Sequence, residues 1–162
     1  MTGIFLLGFA IFICSCQQKN YIYIVRHAEK SDEPAGDVYL SQQGRNRAHT
    51  LKRLLVSKNI TSIFTTKYNR SRETAQPLGE EIGIPIHYYT TDTLGRFVKT
   101  CMKNKRNTLI VAHSNTILPM IDSFHLPHIK KIINENEYNN LFILRMKKGK
   151  MESCKEKTFG TP

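Results

Sequence analysis

The sequence has no tryptophan and only four cysteines, none of them in a Cys-x-x-Cys pair. The missing pair excludes the zinc-ribbon and dithiol redox motifs built on that spacing. No apolar run reaches the roughly 20 residues that a membrane-crossing helix needs. Acidic residues are scarce, with 13 Asp+Glu against 24 Lys+Arg and a formal net charge of +11. That surplus attracts anions such as phosphate esters, nucleic acid or an anionic lipid surface, and charge alone does not choose among them. The basic residues are scattered and form no nucleic-acid recognition motif, so nucleic acid is not an expected partner. There is no internal repeat and no low-complexity linker. What is present is a chain of 162 residues, 40% of them hydrophobic, which suits one domain with a real core and a short appendage.

The appendage is at the start. Residues 1–15 carry no charge, and their apolar stretch from Ile4 to Ile13 has the length of the hydrophobic region of an export signal. Ile13 and Ser15 stand three and one residues before Cys16. The arrangement is similar to a bacterial lipoprotein signal, although Met1-Thr2-Gly3 lacks the usual basic residue. The resemblance implies cleavage before Cys16, lipidation of its thiol, and a chain anchored to a bacterial membrane on a periplasmic or outer-membrane face. Residues 16–20 would be a tether and residues 21–162 the domain. Cys101 and Cys154 remain and are expected to be free thiols, since spacing alone cannot bring two cysteines to bonding distance.

The domain reads as strands alternating with helices. Tyr21–Val25, Thr61–Thr66, Pro85–Tyr89, Thr108–Ala112 and Leu141–Met146 are apolar, β-rich runs. Lys150–Phe159 is compatible with a last strand turning back at Lys148-Gly149. Ser41 is an N-cap for a helix carrying Ala48, Leu51, Leu54 and Leu55 on one side, with Arg45, Arg47, Lys52 and Arg53 turned elsewhere. Further helices are expected over Ser71–Ile82, with a kink or break at Pro77, over about Thr93–Lys103, and over Thr116–Phe124, with Pro119 best placed in a first turn. The pattern predicts an α/β sandwich of three layers with a mainly parallel central sheet. In such a sheet the ligand crevice lies at the carboxyl ends of the strands.

Chemistry-bearing residues follow those ends. Arg26-His27 comes directly after the first strand, His113 after the fourth, and Arg70 just beyond the second. Two imidazoles and two guanidiniums would then share a pocket. A guanidinium presents a planar fork that matches phosphate oxygens. Crowded cations push a nearby imidazole toward its neutral form, whose lone pair can attack phosphorus in line.

Four blocks carry a resemblance: Tyr23–Lys30 (YIVRHAEK), Leu40–Ala48 (LSQQGRNRA), Ile63–Ala75 (IFTTKYNRSRETA) and Ile110–Ile117 (IVAHSNTI). In order and content they resemble the histidine phosphatase superfamily, the phosphoglycerate-mutase-like clan, with Ala28 where glycine is commonest and with Thr66, Arg70, Thr74 and Ala75 aligned to its third block. The resemblance implies a phosphatase acting on a phosphorylated small molecule or phosphoprotein, with a phosphoglycerate-mutase-like fold and no cofactor or metal. It implies that His27 is the phosphorylated nucleophile, that Arg26 and Arg70 hold the phosphoryl group, and that His113 completes the pocket. Lys30 and Ser114 are near enough in sequence to contribute.

A leaving oxygen also needs a proton, usually from a carboxyl group. In the family the acid often follows the third strand, where Asp92 is the sole carboxylate; Asp92 equally suits a helix N-cap. Glu29 is a second candidate. His49, His87, His125 and His128 read as structural or surface residues. A phosphomutase on the same scaffold and a lipid-anchored, non-catalytic phosphate binder are the alternatives. The short loops between Lys30 and Ser41 and after Tyr89 favour transfer to water over transfer within a closed site. The sequence does not set the substrate or the oligomeric state.

Overall fold

Each buried strand alternates its side chains between two apolar layers, and that alternation builds the molecule. A computed structural model describes residues 19–32 and 36–161. The expected export signal and Cys16 lie outside the described residues. Six strands form one sheet: β1 (Lys19–Arg26), β2 (Ser62–Thr65), β3 (Ile86–Tyr88), β4 (Thr108–Ala112), β5 (Asn140–Lys147) and β6 (Lys150–Thr158), in the order β3-β2-β4-β1-β5-β6. β3, β2, β4 and β1 are parallel; β5 runs antiparallel to β1, and β6 to β5. The expected α/β fold with a mostly parallel sheet is the one observed. The hairpin between β5 and β6 turns on Lys148 and Gly149, both at positive φ (52° and 77°), as a two-residue turn matched to strand twist requires.

Ile22, Ile24, Ile110 and Ala112 face one layer, where they meet Phe97 and Val98 of α3 (Leu94–Asn104) and Ile117 and Ile121 of α4 (Ser114–Ser123). Their neighbours Tyr23, Val25, Leu109 and Val111 face the other, against Leu51 and Leu55 of α1 (Gln42–Leu55) and Ala75 and Leu78 of α2 (Asn69–Ile82). Cys101 and Cys154 are free thiols; Cys101 is buried in the first layer and Cys154 packs against it.

Several elements depart from the sequence reading. β1 starts at Lys19, so Lys19 and Asn20 pair with Lys147 and Met146 instead of belonging to a tether. α2 runs unbroken through Pro77 and stops at Gly83, whose φ of 66° is the left-handed conformation that closes a helix. α4 begins at Ser114, two residues early, which moves Pro119 from the first turn to mid-helix. Leu54 is 38% exposed, whereas Arg47, expected to turn outward, is buried at 6%. Its guanidinium donates to both carboxylate oxygens of Glu29, Nε at 2.9 Å to each and Nη2 at 2.6 Å to Oε1. Glu29 takes Arg47 inward because a buried carboxylate must be paired.

α1 enters directly beneath the segment that follows β1. Ser41 caps it, its hydroxyl accepting from Gly44 N–H at 3.0 Å, and Ser41 N–H donates to the Glu29 carbonyl at 2.9 Å. A Cβ on Gly44 would lie 2.2 Å from that carbonyl oxygen. Backbone cannot yield as a flexible side chain does. Gly44→Ala is therefore expected to destabilise the protein by about 1–3 kcal/mol, the usual cost of overpacking. The measurement is urea unfolding, with a lowered midpoint at unchanged slope.

Candidate active site

Pairing of β1 with β4 sets Arg26 opposite Ala112, and His27 N–H donates to the Ala112 carbonyl at 3.0 Å. The two residues that follow, His27 and His113, are thereby neighbours. Their ring centroids are 5.3 Å apart and their planes stand at 62°. Arg70 reaches them from the first turn of α2. That helix is started by Asp37, whose carboxylate accepts from Asn69 N–H at 2.7 Å. Thr74, in the second turn, donates to the Arg70 carbonyl at 2.7 Å and accepts from Ala28 N–H at 2.8 Å, so one hydroxyl ties the His27 segment to the helix bearing Arg70. The result is a cleft of about 650 Å³, with His27, Arg70, His113, Lys30 and Ser114 in its lining. His27, Arg70 and His113 are distant in sequence and converge as the strand ends predict, while Arg26, expected beside them, lies behind the lining.

His27 is 4% exposed. Its Nδ1 lies 2.8 Å from the Ala28 carbonyl, which can only accept. Nδ1 therefore carries the proton, and the lone pair is on Nε2. Burial pushes the His27 pKa down to about 3, helped by the charges of Arg26, His113 and Arg70 and opposed by the bond to Ala28. His113 is lowered to about 4, again first by burial and then by Arg70 and Arg26. Thr66 Oγ donates to Ser71 Oγ at 3.0 Å and meets His113 Nε2 at 2.9 Å. With the Thr66 proton committed, Nε2 of His113 is the donor. Both imidazoles are neutral at pH 7.

The two arginines differ. Arg70 lies over the Tyr68 ring, 4.2 Å from its centroid, and its Nε is buried without a partner. Arg26 is 1% exposed and largely committed. Its Nη1 donates to the carbonyls of Asn134 (3.0 Å), Glu135 (2.7 Å) and Glu137 (3.2 Å), and its Nη2 to Glu135 Oε2 (2.6 Å). Tyr138 covers its face at 4.3 Å. Only its Nε has no partner. Arg26 thus staples the 134–138 segment to the end of β1, a use that sequence reading did not anticipate.

Neither sequence-derived proton donor reaches the cleft. Asp92 is exposed in a 3-10 turn, Thr91–Thr93, that faces Thr90 and Thr91 inward and Asp92 outward, and no capping bond from it is formed. Glu29 is committed to Arg47. The carboxylate that does line the cleft is Glu135, which accepts from the Ser114 hydroxyl and from Arg26. It sits in an irregular stretch with no periodicity. The one signal was a Glu135/Glu137 pair just ahead of a strand in an otherwise basic segment. Of the remaining histidines, His87 lies tilted against Phe64, ring centroids 5.7 Å apart, and His128 bonds Asp122 at 3.1 Å. His125 and His128 lie beyond the end of α4 and share no helix.

The lowered histidine pKa values have a consequence for stability. In the unfolded chain each imidazole titrates near about 6.5. Below that pH the unfolded state binds protons that the folded state refuses, so stability is lost as pH falls. Each histidine contributes a slope of up to about 1.4 kcal/mol per pH unit. Urea unfolding between pH 7 and pH 5 is expected to show the decline, and His27→Asn to remove one histidine's share of it.

Residues 22–95 match the family described as the histidine phosphatase superfamily (branch 1). No curated protein sequence matches the chain. Among solved structures, a mycobacterial glucosyl-3-phosphoglycerate phosphatase superposes with a TM-score of 0.63 at 13% identity, covering 90% of this chain and 100% of that one. A proposed phosphohistidine phosphatase, SixA, from Agrobacterium tumefaciens gives 0.62 at 17% identity, covering 88% and 98%. A phosphoserine phosphatase from Entamoeba histolytica gives 0.62 at 11%, also covering 88% and 98%. At these identities the likeness is one of fold. The family match covers residues 22–95, which carry His27 and Arg70, and the shared fold extends over most of the chain.

Proposed function

We propose that the protein is a phosphatase that hydrolyses a phosphomonoester or phosphoramidate through a phosphohistidine on His27. The observation that carries the reading is a buried, neutral imidazole with its lone pair on Nε2, in one cleft with the Arg70 guanidinium, whose buried Nε has no partner among the described residues. Phosphoryl transfer asks little of a protein beyond positioning and charge stabilisation, and both are provided for here. In the first step Nε2 bonds to phosphorus as the bond from phosphorus to the leaving atom breaks. Arg70, the free Nε–H of Arg26 and the Nε2–H of His113, released from Thr66, take the nonbridging oxygens, with Lys30 and Ser114 at the mouth. In the second step water attacks the phosphohistidine, phosphate leaves, and the imidazole returns to its neutral form. The phosphatases among the structures sharing the fold fit this reaction class. Residues 1–16 support export and lipidation at Cys16 as part of the same reading.

The test is phosphoenzyme trapping on the full-length chain with a radiolabelled aryl phosphate. An acid-labile, base-stable adduct is expected on the wild type and none on His27→Ala, together with complete loss of turnover. Full activity in that variant disposes of the reading. Arg70→Ala is expected to lower kcat by about 10²–10³-fold, the usual loss for one donor to a developing oxyanion. Release of inorganic phosphate, as against an isomerised ester, separates phosphatase from mutase.

A further inference from the structure

We propose that Glu135 is the proton donor to the leaving oxygen and, in the second step, the base that receives the proton of the attacking water. The inference rests on the phosphohistidine reading above.

Among the described residues lining the cleft, Glu135 is the one carboxylate. It is also placed, not adrift. The Ser114 hydroxyl donates to Oε1, Arg26 Nη2 donates to Oε2 at 2.6 Å, and Arg26 Nη1 grips the backbone on both sides of the residue. The carboxylate is nevertheless 77% exposed, whereas His27 is 4% exposed. In-line displacement puts the nucleophile and the leaving atom on opposite sides of phosphorus. With the nucleophile buried at the floor, the leaving oxygen points to the mouth, which is the level of Glu135.

The free protein holds Glu135 ionised. The Ser114 hydrogen bond lowers its pKa most, opposed by partial burial and assisted by Arg26 and Lys30. The charged and titratable groups that share the cleft with it or act on it are Arg26 and His27 from the end of β1, Lys30, Lys67 and Tyr68 after β2, Arg70 from α2, Tyr89 after β3, and His113 ahead of α4. Glu137, next along the segment, is paired with Lys130 instead. A bound phosphoryl group adds negative charge beside Glu135 and competes for the same donors. Both effects raise its proton affinity, so substrate binding itself loads the acid. The steps then balance. As the Nε2–phosphorus bond forms and the phosphorus–oxygen bond breaks, the leaving oxygen takes the Glu135 proton and departs as an alcohol. Water then attacks phosphorus, its proton returns to the Glu135 carboxylate, and the nitrogen–phosphorus bond breaks.

Glu135→Gln tests this, because an amide oxygen still accepts from Arg26 and its nitrogen can donate to Ser114 Oγ; the titrating proton is lost together with the charge paired to Arg26. An alkyl phosphate, whose leaving group needs a proton, should lose about 10²-fold or more in kcat. Its kcat should also lose the decline at high pH that titration of a required acid imposes. A p-nitrophenyl phosphate, whose leaving group needs none, should keep its pre-steady-state burst and then accumulate phosphoenzyme, because dephosphorylation lacks its base. Glu135→Asp should recover part of the alkyl ester turnover. Equal loss for both substrates in the burst phase, or an undiminished alkyl rate, overturns the proposal. Should the glutamine variant fold poorly, the wild type decides: a shallow dependence of rate on leaving-group pKa is expected, and a steep one refutes the assignment. Absence of any wild-type phosphoenzyme is a different failure, that of the His27 reading.

Discussion

The register between β1 and β4 is the constraint on which the rest depends. Arg26 opposite Ala112 puts His27 beside His113, and the same pairing puts Ile24 beside Ile110 and Val25 beside Val111. Core and site are therefore fixed by one set of hydrogen bonds. A slip of one residue would move the two histidines apart by about 3.3 Å along the strand. It would also turn Ile22 and Ile24 out of the α3/α4 layer and bring Tyr23 and Val25 into it, since side chains alternate with period two. The pocket is precise because its register is enforced by two buried apolar layers, far from any phosphate.

Charge is distributed around that frame in two ways. The imidazoles are kept neutral, chiefly by burial and secondarily by the arginines. The arginines cannot be neutralised, so they must be compensated. Arg26 meets this with three carbonyls and the Glu135 carboxylate, which is what a fully buried cation requires. Arg70, less buried, keeps its Nε free and rests on Tyr68. Of the two, Arg70 is the donor already available to an anion, and Arg26 is the one whose first duty is to hold the cleft wall.

Much of this was legible in the sequence. β4 is observed over the same residues as expected, and Ser41, Gly83 and the Lys148-Gly149 turn act as predicted, because short apolar runs and capping residues act locally. The convergence of His27, Arg70 and His113 followed from strand ends in a parallel sheet. Arg47 was not legible: a single basic residue on a helix reads as solvated until the carboxylate beneath it is known. Glu135 was missed for a geometric reason. β5 is antiparallel, so it meets the cleft edge before it starts, not after it ends. A search confined to residues following strands passes over the residues preceding this one.

Glu29 and Glu135 show how position decides what a carboxylate can do. Glu29 lies two residues after His27, yet it is buried with Arg47, and its carbonyl anchors Ser41 and is packed against Gly44. Two charges so enclosed are costly to separate. Glu29 can brace the segment that carries His27, and it does not line the cleft. Glu135 lies far along the chain, but it is open to solvent on one side and bonded to donors that a substrate would also seek. In the free protein the Ser114 hydrogen bond and Arg26 lower its proton affinity. Proximity in sequence selected the carboxylate that braces His27; the antiparallel edge supplied the one that lines the cleft.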